Sequence, residues 1–224
     1  MSRKLAVLRP EPGNAATAAR IEAVRLVPLR LPLFRVVPIA WKVPDPTAHD
    51  ALLITSANAI RHAGPGLDAL KGLPVFAVGA SSANAARAAG LEVVLTGERD
   101  AAALIEEAEA QGVTRALHLG GRERSIVPGG PIAAAVAAYA NEPVDPGAEA
   151  ISALEDNVVL LHSGRAAEHL LRLCARYQIN RRSIALAAIS PPVLATAGRG
   201  WGTVAAARTP SDAGLIATAA TLAD

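Results

Sequence analysis

The strongest constraint on this chain is that it states one order of elements twice. Residues 51–105 and 158–216 each begin with an apolar run, Ala51-Leu-Leu-Ile54 and Val158-Val-Leu-Leu161, followed by a hydroxyl residue, Ser56 in one and Ser163 in the other. Each then reads as a helix, a second apolar run and a turn of small residues. Ala77-Val78-Gly79 stands 111 positions before Ala188-Ile189-Ser190, and Leu104-Ile105 stands the same 111 before Leu215-Ile216. The two serines are 107 apart, so about four residues are inserted between serine and turn in the second copy. Two similar α/β units facing one another imply a cleft lined by two hydroxyl-bearing loops.

Length and composition narrow what those units do. A chain of 224 residues has room for one large domain or two small ones, and the repeat favours two. Hydrophobic residues make up 51%, enough for buried cores and too many for a disordered chain. No apolar run reaches about 18 residues, so no membrane span is expected. The apolar stretch near the N-terminus, Leu5 to Leu8, is too short for a signal peptide. One cysteine, Cys174, sits in a helical pattern and allows no internal disulfide; a buried residue in a reduced, cytoplasmic protein fits best. The charge of +2 says little about nucleic acid, and two Phe, two Tyr and two Trp are too few for a base-stacking platform. Lysine occurs only at Lys4, Lys42 and Lys71, so arginine dominates the positive charge. That balance suits bidentate binding of an acidic small molecule, although GC-rich codon usage gives the same balance.

Along the chain, Lys4 to Leu8 reads as a strand and Arg9 to Gly13 as a turn, with Asn14 or Thr17 capping a helix that runs to about Val24. Leu29 to Trp41, preceded by Pro28 and containing Pro32 and Pro38, reads as an extended connector. Arg115 to Leu119 is a further strand followed by Gly120-Gly121-Arg122, where the glycine pair either brings backbone amides close to a carboxylate or forms a simple turn. A second connector follows the apolar run that ends at Tyr139. Strands alternating with helices predict an α/β fold of two similar parallel-sheet domains. The expected boundaries are a discontinuous domain of residues 1–32 plus 146–224, a second domain of residues 46–132, and a two-stranded connector of residues 33–45 and 133–145.

The ordered motifs resemble the uroporphyrinogen-III synthase family over essentially the whole chain. They are Arg9-Pro10 after the first strand, Thr55-Ser56-Ala57-Asn58-Ala59, Phe76-Ala77-Val78-Gly79, Tyr139, Leu160-Leu161-His162-Ser163-Gly164, Ile189-Ser190-Pro191, Gly200 and Pro210. The resemblance implies a bilobed protein that converts linear hydroxymethylbilane into cyclic uroporphyrinogen III without metal or cofactor. Loss of the terminal hydroxyl gives an azafulvene. The last pyrrole ring attacks it through a spirocyclic intermediate and is inverted. The protein's main task is then geometric, with modest acid help to the departing hydroxyl. None of the five histidines shows metal-ligand spacing, and no nucleophile elbow or Walker loop occurs.

Several residues are candidates for this site. Thr55, Ser56 and Asn58 lie where a strand gives way to a helix and can hold a carboxylate there; an ordinary helix cap is the other reading. Ser81 and Ser82 follow Gly79 in the same kind of turn. Ser163 and Ser190 are the matching hydroxyls of the second copy, where Pro192-Val193 replaces a hydroxyl pair often found in the family. Tyr139 matches the connector tyrosine that the resemblance suggests as proton donor; packing against a domain is its alternative. Ala140-Asn141 follows it where a basic residue is usual in the family. Arg9, Arg122 and Arg165 end predicted strands and are candidate carboxylate partners, or else solvated surface arginines. No metal, nucleic-acid or membrane partner is expected, and a monomer is the default. A non-catalytic binding module for an acidic small molecule remains as an alternative. So does a nucleotide- or sugar-phosphate-binding enzyme, although Arg9-Pro10-Glu11-Pro12-Gly13 lacks the dinucleotide glycine spacing.

Overall fold

The computed structural model describes residues 3–124 and 126–223; Met1, Ser2, Ser125 and Asp224 lie outside them, including both ends of the expected discontinuous domain. The chain divides into two compact units, Met1–Arg35 with Glu142–Asp224 (unit 1) and Val36–Asn141 (unit 2).

Unit 2 is built on β4 (Ala51–Ile54), β5 (Val75–Val78), β6 (Val93–Gly97), β7 (Ala116–Gly121) and most of β3 (Phe34–Pro38) and β8 (Ile132–Pro143), whose outer ends belong to unit 1, in sheet order β3-β8-β7-β4-β5-β6. Its helices are α2 (Ala57–His62), α3 (Gly79–Ala88) and α4 (Ala101–Ala110). Strands β4 to β8 pair in parallel. Beside them, Ile39 N–H donates to Ala138 and Val144 N–H to Leu33, so β3 runs antiparallel to β8. Alternate residues of a strand point to opposite faces. Leu52, Ile54, Leu117 and Leu119 therefore pack with Ala59 of α2 and Ala83 of α3 on one face. Ala51, Leu53 and Phe76 pack with Leu104 and Ala108 of α4 on the other.

Unit 1 is built on β1 (Leu5–Val7), β2 (Pro28–Arg30), β9 (Val158–Leu161), β10 (Ala185–Ala188) and β11 (Val204–Ala206), in sheet order β11-β10-β9-β1-β2. All its pairings are parallel. The helices are α1 (Gly13–Ala23), α5 (Ala148–Ser152), α6 (Gly164–Arg176), α7 (Pro191–Thr196) and α8 (Asp212–Ala223). Leu5, Val7, Val158 and Leu160 pack with Ile21 of α1 and with Leu215 and Ile216 of α8. Ala6, Leu8, Val159 and Leu161 pack with Leu170 and Leu173 of α6. Burying one such leucine side chain stabilises by about 2 kcal/mol.

The internal repeat is visible element by element, with β4-α2-β5-α3-β6-α4 answering β9-α6-β10-α7-β11-α8. The first helix of each copy differs most. α2 has 6 residues against 13 in α6, because Gly64, with φ +65°, and Pro65 follow it. The chain there continues instead as a 3-10 turn over Gly64–Leu70.

Three local expectations are corrected. Neither Asn14 nor Thr17 caps α1. Pro12 holds the cap position, while Glu11 accepts from Ala15 N–H at 3.0 Å. Asn14 instead turns its amide back to the carbonyls of Val7 (2.7 Å) and Arg9 (3.1 Å), fastening the end of β1. The first part of the proline-bearing stretch, Pro28–Arg30, is not a connector but an edge strand, where a proline costs no ladder bond. Gly120 and Gly121 form no turn; they are the buried last residues of β7.

Candidate functional site

In each sheet the chain winds outward in opposite directions from one pair of neighbouring strands. The pair is β4 and β7 in unit 2, and β9 and β1 in unit 1. The crevice beyond the carboxyl ends of such strands is where open α/β sheets bind ligands. The ladders pair Ile54 with Leu119 and Leu160 with Val7. Carrying the register onward sets Thr55 beside Gly120 and His162 beside Arg9. In the repeat Thr55 is thus the counterpart of His162, and Gly120 that of Arg9.

The unit 2 end is uncharged at its centre. Fully buried His118 on β7 places Nε2 3.1 Å from Thr55 Oγ1. Burial pushes its pKa down to about 4, so the ring is neutral at pH 7. A methyl group on Gly120 would lie 2.4 Å from His118 Cε1, so only glycine leaves room for that ring. Gly121, on the opposite face, does the same for Tyr139, whose Cζ would be 2.5 Å from an added methyl. Tyr139 is 5% exposed, and its ring centroid lies 6.3 Å from that of His62. Burial, and then the charge of Arg61, lower the pKa of His62. His62 also lines a concavity of about 530 Å³ with Trp41, Val43 and Pro65.

Ser56 caps α2, accepting from Asn58 N–H at 3.3 Å, and the Asn58 side chain accepts from Arg61 at 3.3 Å. Ser81 is exposed and lines a concavity of about 660 Å³ with Arg61 and Asn84. Ser82, its neighbour in the first turns of α3, points into the core at 4% exposure. Arg122, beyond β7, pairs with Glu123 at 3.4 Å.

The unit 1 end is charged. Asp212, at the start of α8, accepts from Thr17 (2.8 Å), His162 (2.9 Å) and Arg20, with Arg9 at 3.6 Å. Burial opposes ionisation of Asp212, but hydrogen bonds from His162, Arg20 and Thr17 outweigh it and hold the carboxyl well below the usual range. Arg9 is therefore already engaged by a carboxylate of its own chain. Ser163 caps α6, accepting from Ala166 N–H at 3.3 Å. Ser190 occupies the cap position of α7 without making that bond. The guanidinium of Arg165 lies 5.0 Å over the Phe34 ring.

Sequence reasoning thus placed Thr55, Ser56, Ser163, Ser190 and Arg9 at strand ends and missed His118, His62 and Asp212. One local signal was present for His118: a glycine two residues on, hence on the same face of the strand. Nothing local ties Asp212 to β1. Among the described residues no three His, Cys, Asp or Glu side chains gather as a metal site, and no helix is long and apolar enough to cross a membrane.

Comparison with known proteins fits this layout. A family model described as uroporphyrinogen-III synthase HemD matches residues 15–217. The crystal structure of uroporphyrinogen-III synthetase from Helicobacter pylori 26695 superposes with a TM-score of 0.64 at 18% identity, covering 98% of this chain and 99% of that one. Uroporphyrinogen III synthase from Thermus thermophilus is similar at 18% identity over 96% of this chain and 95% of that one, with a TM-score of 0.43. No curated protein sequence matches. The family match spans nearly the whole chain, and the chain belongs to the uroporphyrinogen-III synthase family.

Proposed function

We propose that this protein closes hydroxymethylbilane into uroporphyrinogen III, as a cofactor-independent hydro-lyase. The observation that carries the reading is the family match over residues 15–217. Elimination of the terminal hydroxyl leaves an azafulvene, and the last pyrrole ring closes on it with inversion. Tyr139 is assigned as the donor to the departing hydroxyl. A phenol carries an O–H that can donate a hydrogen bond, and packing on Gly121 and His62 holds the ring in place.

Hydroxyl and amide groups at the strand ends are assigned to the substrate's carboxylates: Thr55, Ser56, Asn58 and Ser81 in unit 2, Ser163 and Ser190 in unit 1. Arg165 supplies charge. Arg9 and Arg122, each paired with a carboxylate of the same chain, and Ser82, buried, are the weaker candidates. A monomeric, cytoplasmic protein completes the proposal.

The test supplies purified protein with freshly generated hydroxymethylbilane and resolves the oxidised products. Isomer III in proportion to protein concentration is the expected result. Isomer I alone, at the spontaneous rate, refutes the proposal and favours a binding module. Tyr139→Phe is expected to lower kcat by about tenfold or more, with KM little changed, because a donor to the leaving group acts in the transition state.

A further inference from the structure

We infer that His118 fixes Thr55 as a hydrogen-bond donor, so that the Thr55 hydroxyl presents its proton to a substrate carboxylate. The inference rests on the proposed function for the identity of the acceptor. Its first part stands on the geometry of β7 and β4 alone.

His118 has no solvent exposure and lies on the α4 face of the sheet, where its neighbours Leu53, Ala51, Leu104 and Ala108 are apolar. An aliphatic residue would fill such a place without any hydrogen-bonding demand. The ring has one partner, Thr55 Oγ1 at 3.1 Å from Nε2, and its Nδ1 is buried with none among the described residues. A neutral imidazole carries a single N–H. If the proton sat on Nδ1, a buried N–H would be left without an acceptor, the rarer and costlier kind of orphan. With the proton on Nε2 it is donated to Thr55 Oγ1, and only a lone pair on Nδ1 lacks a partner. The Thr55 oxygen then accepts from His118, and its own proton turns to another acceptor.

Three features serve this arrangement together. Gly120 yields the space for the imidazole. Thr55 is half-buried at the carboxyl end of β4, at the point where the sheet reverses its winding. Its hydroxyl has no other hydrogen-bond partner among the described residues. An oxygen acceptor arriving there meets a donor whose orientation is already set, which a freely rotating hydroxyl does not offer. His118 is on this account a positioning residue, and Thr55 the binding group.

The test has two readouts. Long-range proton–nitrogen correlation spectra of ¹⁵N-histidine-labelled protein at pH 7, with His118 assigned by its loss in His118→Gln, are expected to show the Nε2–H tautomer. An Nδ1–H tautomer or a mixture of both overturns the inference. In the isomer III assay, His118→Leu is expected to raise KM about tenfold with little change in kcat, as is Thr55→Val, while His118→Gln, which keeps a side-chain donor, stays within about threefold of wild type. His118→Leu with wild-type KM and a wild-type melting curve refutes the positioning role. Should the wild-type protein form no isomer III, the function proposal fails, and the tautomer still decides whether His118 donates to Thr55.

Discussion

The reversal points of the two sheets occupy the same place in the repeat and are built from opposite chemistry. In unit 2, Thr55 is held by a neutral buried histidine, with two glycines making room for His118 and Tyr139. In unit 1 the counterpart of Thr55 is His162, and the counterpart of Gly120 is Arg9, both gathered on Asp212 with Arg20 and Thr17. The first arrangement leaves a hydroxyl to donate. The second spends its arginine on a carboxylate of the same chain. A duplicated backbone therefore does not require duplicated chemistry: unit 2 closes its reversal point with a neutral histidine–threonine pair, whereas unit 1 gathers charged groups on Asp212, with Ser163 next to His162 and Ser190 at the end of the neighbouring strand.

If the charges of unit 1 form one network, removing its hub has the largest effect. Asp212→Ala leaves Arg9, Arg20 and a mostly buried His162 without their shared carboxylate, and is expected to cost about 3–4 kcal/mol in denaturant unfolding. A loss below about 1 kcal/mol would show the cluster to be solvated and erase the contrast.

Acid separates the two ends next. His118 has its folded pKa lowered by burial to about 4, below the ordinary 6.5. The unfolded chain therefore takes up a proton between pH 6.5 and 4 that the folded protein does not. Stability conferred by the neutral ring is complete above pH 6.5 and is lost as pH falls toward 4, by up to about 3 kcal/mol. His118→Gln should flatten unfolding free energy across that window. The Asp212 carboxyl is also depressed, so its contribution is present above about pH 4 and is lost only below it.

The glycine pair gives a sharper, smaller contrast. Gly120→Ala and Gly121→Ala each force a methyl into a buried ring and should cost about 2 kcal/mol. The first should alter the Thr55–His118 bond and the second the placement of Tyr139. Loss of activity in Gly121→Ala should therefore appear in kcat, and in Gly120→Ala in KM.

The smallest effects are those of the caps. Ser56→Ala and Ser163→Ala each remove a hydrogen bond to a helix N-terminus and should cost about 1 kcal/mol in thermal unfolding. Ser190→Ala should cost less than about 0.5 kcal/mol, because the Ser190 side chain makes no cap bond. Equal losses at all three would mean that Ser190 caps α7 in solution as Ser56 and Ser163 cap their helices.

What the sequence revealed follows from the range of the forces involved. Strands such as Ala51–Ile54 and Val158–Leu161 are legible because an apolar run bounded by a capping serine is a local pattern. The repeat exposed the pairing of Ser56 with Ser163 for the same reason. Thr17 looks like a cap but is tied to the Asp212 carboxylate, 195 residues away, while Asn14 turns back only five and seven residues to the carbonyls of Arg9 and Val7, a contact that no capping pattern signals. Gly120-Gly121 looks like a turn because glycine pairs often are turns, and only the rings of His118 and Tyr139 explain why they close a strand instead. His118 carries no motif: a lone histidine in an apolar run acquires its meaning from Thr55, 63 residues away in the chain.

The most direct test of the account is backbone amide mapping of the labelled protein as uroporphyrinogen III is titrated in under anaerobic conditions. The account predicts saturable shifts at Thr55, Ser56 and Gly121 in unit 2 and at Ser163 and Ser190 in unit 1, while the amides of Thr17 and Asp212 remain in place. Saturable binding whose shifts avoid Thr55, Ser56 and Gly121 would contradict it.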